Sequence, residues 1–390
     1  MGAASRLTTD VLSQHFADVV GAPPAGRWQA PGRVNLIGDH TDYNDGFVLP
    51  VAIDLRCTVV ARARTDGVLH VRSLQRGDAG PVALDQLAAA RGWAAYPLGT
   101  AWALLQDGLE LQGADLLLTS DVPSGAGLSS SAALECAVAL ALCDLAGSRP
   151  PLRRIALAAQ HAEAHVVGAP VGVMDQMASL FGSPDGALLL DCRSLDLRTV
   201  PLDLAHLGQA LAVIDTGVSH DLAAGEYAAR RRECEQAATL LDVPALRDAT
   251  DSQVRGAEPV LGPTLAARAR HVVSECERVH QVVDALERND LSALGPLFAA
   301  SHASLRDDFA VSCPELDTVV AAAVDGGAVA ARMTGGGFGG SVVAVVPHDA
   351  LDSVVRSCHE AAERTGHPVP AVRVVRPSAG AARVLPARHV

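Results

Sequence analysis

Four stretches of the chain concentrate polar side chains or glycines between apolar runs. Residues 31–50 bring Arg33, Asp39, His40, Asp42, Asn44 and Asp45 into one short segment. Carboxylates accept several hydrogen bonds and an imidazole donates or accepts, so Asp39, His40 and Asp42 suit a polyol with many hydroxyls. A solvated turn would have a similar composition. Residues 121–135 read DVPSGAGLSSSAALE. Gly125 and Gly127 permit positive φ and close backbone approach. Ser129, Ser130 and Ser131 then open a helix, whose free N–H groups and dipole favour an anion. One serine suffices to cap a helix, and three exceed that need. In residues 160–179, Glu163 sits late on an Ala-rich helix, and Asp175 follows Gly172 among Val173, Met174 and Met177. A carboxylate in apolar surroundings is costly unless it is paired or used, although Asp175 could also serve as a helix cap. Residues 331–346 place five glycines in six positions, either a flexible turn or a loop for close approach to a ligand or another segment.

Composition narrows the chemistry. The chain has 390 residues and no lysine, so all 31 basic residues are arginine. That excludes the GxxxxGK[ST] phosphate loop, the strand lysine of protein kinases and Schiff-base catalysis. A nucleotide would have to be held by backbone amides, arginine and a metal. The formal charge of −13 argues against nucleic acid and anionic membranes as partners. No uninterrupted apolar run is long enough for a membrane span, and the first residues lack a signal peptide's apolar core. The opening MGAASR matches the start of an N-myristoylation pattern by chance, because Arg6 stands where Ser or Thr is expected. Eight scattered cysteines without a CxxC pair read as buried free thiols in a reducing cytosol. Hydrophobic residues at 49% and aromatics at 3% imply a core of Ala, Val and Leu.

The elements that must position these stretches follow from periodicity. Strands are expected at FVLPVAI, CTVVARAR and VLHVRSL within 47–74, with Gly67 in a turn, and at 114–120 and 187–193. Helices are expected near 93–108, 129–146 and 152–166, the second ending at Gly147 and the prolines 150 and 151. After a strand at 211–218, helices are expected near 225–241, 265–289, 291–304 and 314–324. A hairpin at 328–334 and 341–347, a helix at 349–365 and a strand at 371–377 follow. Strand, helices, strand, strand, helix, strand is the order of a split βαβ sheet. The length suits two domains, 1–205 and 206–390, with the boundary in LDLAHLGQ.

In this order, the four stretches resemble the GHMP kinase superfamily and, within it, the galactokinase family. GRVNLIGDHTDYN is similar to the galactokinase signature, GAGLSSSAALE to the superfamily's ATP-binding motif and RMTGGGFGGS to its C-terminal glycine motif. GVMDQ (172–176), SHDLAAGEYAARRRECE (219–235) and SHASLRDDFAVSCPELD (301–317) also resemble galactokinases. The resemblance implies a two-domain α+β fold: an N-terminal mixed α/β domain like ribosomal S5, and a C-terminal ferredoxin-like split βαβ domain. The active site would lie in the cleft between them. It further implies transfer of the γ-phosphoryl group of ATP to the C1 hydroxyl of α-D-galactose in the cytoplasm. Asp175 would be the base and Arg33 its partner. Ser131 and Glu163 would hold Mg²⁺, and Gly125, Ala126, Gly127, Leu128, Ser129, Ser130 and Ser131 would cradle the phosphates. Asp39, His40, Thr41, Asp42 and Tyr227 would line the sugar site, and Ser73 would be a minor nucleotide contact.

Two positions depart from the family pattern. Residue 39 is Asp where galactokinases usually have Glu, which leaves one sugar hydroxyl contact open. Residue 171 is Val where many relatives have Cys, a packing variation. The alternatives to a galactose kinase are a sibling kinase for N-acetylgalactosamine or arabinose, and a silent sensor that binds sugar and ATP. HTDYN at 40–44 favours galactose, and an intact GLSSSAA with Arg33 and Asp175 disfavours the sensor.

Overall fold

The computed structural model describes residues 9–169, 171–219 and 223–385, so MGAASR and part of the SHDLAAG stretch lie outside the described residues. After α1 (Thr9–Val20) come β1 (Gly26–Asn35), β2 (Phe47–Val48), β3 (Pro50–Ala63), β4 (Val68–Ser73) and β5 (Gly77–Ala83). Then follow α2 (Ala95–Gln106), β6 (Gly113–Ser120), α3 (Ser130–Leu145), α4 (Leu152–Ala162), α5 (Met174–Phe181), β7 (Gly186–Asp191) and β8 (Leu197–Pro201). The strands form a six-stranded sheet ordered β13-β1-β3-β6-β4-β5, closed by the late β13 (Ala382–Arg383), and a three-stranded sheet β2-β7-β8. Among the described residues, only β4 and β6 pair in parallel.

The expected pair FVLPVAI and CTVVARAR is corrected here. Phe47 and Val48 leave to pair with β7, whereas residues 50–63 run as one strand. Pro50, which cannot donate to a ladder, sits at the first residue of that strand, where its missing N–H does least damage. The polar DLR in its middle continues the strand because the chain's end covers it: Asp54 accepts from the Arg376 amide, and Arg56 reaches Ser378 and the Ala379 carbonyl.

The second half contains β9 (Gln209–Ser219), α6 (Ala223–Leu240), α7 (Asp251–Gly256), α8 (Glu258–Glu287), α9 (Leu294–Asp307) and α10 (Pro314–Asp325). It closes with β10 (Ala330–Thr334), β11 (Gly339–Pro347), α11 (Leu351–Thr365) and β12 (Ala371–Val375). The start of α8 is broken at Gly262 (φ 67°, ψ 172°) ahead of Pro263, which is why periodicity alone places it only from 265. The sheet order is β10-β11-β9-β12, all antiparallel, so the four strands in chain order lie second, third, first, fourth, the ferredoxin-like arrangement.

One core lies between the six-stranded sheet and α2–α5, and another between the four-stranded sheet and α6–α11. A third joins the two halves, with Val34, Ile37 and Leu49 meeting Val279, Phe298 and Val343. In α3, Ala132, Ala133, Ala137, Ala139 and Ala141 are buried, so small side chains let this helix lie close to β1 and β3. All eight cysteines are free thiols, seven of them buried. Among the described residues, no helix is long and apolar enough to cross a membrane.

Candidate active site

A cleft of about 340 Å³ lies where β1, the loop before α3, the start of α5 and the turn between β10 and β11 converge. Arg33 enters it from a bulge in β1, where the register with β3 shifts between Pro31 and Arg33. A bulge re-aims a side chain that a regular strand would point elsewhere. Gly32 at this bulge is required: a Cβ there would stand 2.7 Å from the Leu128 carbonyl. The same carbonyl accepts the Arg33 amide at 3.1 Å, which docks the 125–129 loop onto β1.

Arg33 is buried and links two parts of the cleft. Its Nε and Nη2 meet Asp175 Oδ1 at 2.8 and 2.7 Å, and its Nη1 donates to the Gly127 carbonyl at 2.6 Å. Ser129 donates to the other carboxylate oxygen of Asp175 at 2.5 Å. Asp175 is the second residue of α5, where the helix dipole favours negative charge. Ser129 stands immediately before α3 with φ 55°, an uncommon conformation for a residue with a Cβ. That backbone turns its hydroxyl away from capping the helix and onto Asp175.

Glu163 is buried at the end of α4 and accepts from Gln176 Nε2 at 2.8 Å. Burial, then the charge of Asp175, raises its carboxyl to about 7, with the Ser131 hydroxyl and Gln176 opposing. Burial and the neighbouring Asp175 raise Asp42 to about 7 as well. Four carboxylates, Asp39, Asp42, Glu163 and Asp175, line this cleft with the one guanidinium of Arg33, and of the four Asp39 is paired separately with Arg332. The Ser131 hydroxyl and Glu163 are hard oxygen donors in a site short of positive charge, which suits a Mg²⁺ ion carrying phosphate and water as its other ligands.

Asp39 is almost fully enclosed. Its Oδ2 lies 2.6 Å from Arg332 Nη2, and its Oδ1 accepts the Gly335 amide at 2.9 Å. Burial raises its carboxyl and the Arg332 charge opposes that. His40 has φ 65° and two ring partners, the Gly336 carbonyl at Nε2 (3.2 Å) and the Tyr43 hydroxyl at Nδ1 (2.9 Å). A carbonyl can only accept, so Nε2 carries the hydrogen and Nδ1 accepts from the hydroxyl. Burial and the adjacent His271 lower the imidazole to about 3, so it is neutral. Tyr227 of α6 packs on His40 with ring centroids 5.3 Å apart, and both line the cleft. Thr41 corrects the expectation for that residue. It is fully buried outside the cleft, with its hydroxyl between the carbonyls of Gly38 and Phe47, and so it shapes the turn. Gly172 lies so close to Asp42 that a Cβ would fall 1.8 Å from Oδ2.

A second cavity of about 640 Å³ shares Gly125, Ser130 and Ser131 with the first and extends to Ser73, Trp93, Tyr96 and Arg373. Ser73 thus lies away from the Asp175 cleft, with its hydroxyl accepting from the amides of Gln75 and Arg76. Leu128 lines the first cleft, whereas Ala126 is buried behind it. The Ala126 carbonyl accepts from Ser341 Oγ at 2.6 Å, which ties the 125–129 loop to the glycine-rich hairpin. Gln176, Glu135 and Arg332 join the site without having been expected from the sequence. Gln176 Nε2 bonds Glu163 and also Glu135, at 3.1 Å. Glu135 is a lone carboxyl on the buried face of α3, raised well above its ordinary value by burial and then by Glu163. A charged residue amid that Ala/Leu helix was the available signal.

Known proteins extend these observations. The galactokinase galactose-binding signature matches residues 14–63, the GHMP kinase N-terminal domain residues 95–183 and the GHMP kinase C-terminal domain residues 282–364. A galactokinase of Streptomyces coelicolor is 48% identical over 380 residues, covering 96% of this chain and 98% of its own. One from Roseiflexus sp. is 43% identical, covering 97% and 98%. The crystal structure of Lactococcus lactis galactokinase complexed with galactose superposes with a TM-score of 0.91 at 32% identity, covering 96% of this chain and 99% of that one. A mevalonate kinase shares the fold at a TM-score of 0.65 and 16% identity. With all three signatures in order and near-complete coverage by these relatives, the chain belongs to the galactokinase family of the GHMP kinases.

Proposed function

We propose that this chain transfers the γ-phosphoryl group of MgATP to the C1 hydroxyl of α-D-galactose, giving galactose 1-phosphate and ADP. The observation that carries the reading is the Arg33 guanidinium, which bridges the Asp175 carboxylate and the Gly127 carbonyl of the serine-rich loop. One side chain thereby registers a base against a phosphate-binding turn.

In this reading Asp175 accepts the proton of the attacking hydroxyl as the sugar oxygen bonds the γ-phosphorus and the bond to the ADP oxygen breaks. Ser129 and Arg33 hold the carboxylate in place, and Arg33 offsets the negative charge gathering between sugar and phosphate. Loop residues 125–131 cradle the phosphates with backbone amides at the start of α3. Ser131 and Glu163 hold Mg²⁺, which when bound neutralises phosphate charge. Asp39, His40, Asp42 and Tyr227 face the sugar, and Thr41 holds the turn that presents them. Ser73 borders the part of the cleft that takes the rest of the nucleotide. The described residues of 1–205 and 206–390 form the two lobes, with β13 returning from the second to the sheet of the first. Eight free thiols suit a reducing cytoplasm.

The test is ADP release with MgATP over a panel of free sugars. Galactose is expected to give the highest kcat/KM. Faster turnover of N-acetylgalactosamine or arabinose would reassign the substrate, and galactose binding without ADP release would make the chain a sensor.

A further inference from the structure

The outer face of the turn carrying Glu163 holds a pair of side chains that neither sugar nor nucleotide binding uses. Residues Glu163–Val167 close α4 as one wide π-type turn, a rare geometry that often marks functional sites. His161 lies in the last turn of α4 and His165 four residues on, a spacing that puts both on one face. Their ring centroids are 4.0 Å apart and the planes are inclined by 34°. His165 Nδ1 lies 3.0 Å from the His161 carbonyl oxygen. That oxygen can only accept, so Nδ1 carries the hydrogen and Nε2 presents its lone pair outward. Metal-ligating histidines are commonly fixed in this way, with the second ring nitrogen donating to a carbonyl. Trp102 of α2 stacks on His161, with centroids 5.2 Å apart and planes within 9°, so that ring is also held. His165 is exposed and His161 half-buried.

Two imidazoles spaced i, i+4 on a helical face form a bidentate nitrogen set. Metal–imidazole bonds are about 2.0–2.1 Å, so two nitrogens on one ion stand at most about 4.2 Å apart. Ring centroids 4.0 Å apart put the two imidazoles within reach of one ion once side-chain rotation turns their free nitrogens toward it. Nitrogen donors favour zinc, copper and nickel, whereas magnesium prefers oxygen. Glu163 is buried on the inner side of the same turn, held by Gln176. We propose that His161 and His165 form a surface site for a divalent transition-metal ion of the imidazole-preferring class, with water completing its coordination. It is separate from the oxygen-lined position at Ser131 and Glu163.

Trp102 makes the site self-reporting, because bound Cu²⁺ quenches an adjacent indole. The chelator-treated full chain is titrated with CuCl₂ and, separately, ZnCl₂ at neutral pH, followed by calorimetry and tryptophan emission. The expected result is one more bound equivalent in the wild type than in the His161→Gln/His165→Gln double variant. Each single variant is expected to weaken that site by at least about tenfold, the scale on which lost support already acts. Cu²⁺ quenching disappears in the double variant, and Trp102→Phe loses the quenching while keeping the calorimetric site. Excess Mg²⁺ leaves the bound Zn²⁺ in place. Equal stoichiometry and affinity in the wild type and a double variant with unchanged circular dichroism would overturn the proposal. So would displacement of Zn²⁺ by an equal concentration of Mg²⁺.

Discussion

Replacing Arg33 by methionine separates a base that depends on its partner from one that acts alone. Methionine keeps an unbranched stem and removes three contacts at once: Nε and Nη2 to Asp175 Oδ1 at 2.8 and 2.7 Å, and Nη1 to the Gly127 carbonyl at 2.6 Å. Asp175 is left with the Ser129 hydroxyl on Oδ2. Withdrawing one charge aimed at a developing negative charge costs about 10²–10³ in rate, roughly 3–4 kcal/mol. The loop loses a separate charge-assisted hydrogen bond worth about 1.5–3 kcal/mol, enough for a rise of about tenfold in KM for ATP. The expected signature is therefore a fall in kcat of about 10²–10³ together with a raised KM for ATP and a smaller change for galactose. Arg33→Lys keeps the charge but not the fork, so it can satisfy Asp175 or Gly127 but not both. It is expected to recover part of kcat and none of the ATP affinity. The assay is ADP release with each substrate varied in turn. Thermal melts check the fold, because breaking a buried ion pair can cost about 3–5 kcal/mol of stability. If folded Arg33→Met keeps kcat within about threefold of wild type, well short of the loss expected for a withdrawn charge, the bridging argument is wrong.

Asp175→Asn is expected to lower kcat by about 10²–10⁴ while ATP and galactose still bind by calorimetry, and near-normal turnover would remove Asp175 as the base. Glu163→Gln should shift the Mg²⁺ dependence of activity to higher concentration with partial rescue at high Mg²⁺, whereas an unchanged titration would leave Glu163 without a metal role. Asp42 titrates at about 7 in the fold against 3.8 ordinarily, so the folded state binds the extra proton between those values and loses stability as pH rises through them. Asp42→Asn is accordingly expected to raise the melting temperature at pH 8, by up to roughly 4 kcal/mol in stability, with no gain near pH 3 and with weaker galactose binding; equal gains at both pH values would contradict the burial argument. Asp39→Glu pushes an extra methylene against Arg332 and the Gly335 amide, at about 1–3 kcal/mol, and should discriminate more sharply than wild type against galactose lacking the C6 hydroxyl. Identical kcat/KM ratios for every deoxygalactose in the two enzymes would show that residue 39 does not tune specificity.

Local signals made most elements legible. The Ala/Leu-rich stretch before Gly147 gave α3, and the alternating runs around the glycine cluster gave β10 and β11. They failed where a partner distant in sequence decides the structure. The short α5 is held by Ser179 on the Pro31 carbonyl and by the Ala381 and Gly380 amides on Ser179 and Gly182, contacts that no window around residue 175 contains. Strand β3 runs through DLR because residues 376–379 cover it, and β13 is a strand only because β1 offers an edge.

The sequence by itself determined the chemistry within reach: a lysine-free chain, glycines spaced for a phosphate turn, and acidic residues at 39, 42, 163 and 175 that need a partner or a cation. Residue type and local spacing are intrinsic to the chain, so these properties precede folding. Only the tertiary structure decided how the residues are used. It gave the Ser129 hydroxyl to Asp175, turned Thr41 into a brace for its turn, committed both nitrogens of His40 and set Glu135 behind Glu163. The physical reason is that a hydrogen bond or an ion pair depends on separations of a few tenths of an ångström, and those are fixed by packing between segments as far apart as residues 39 and 332.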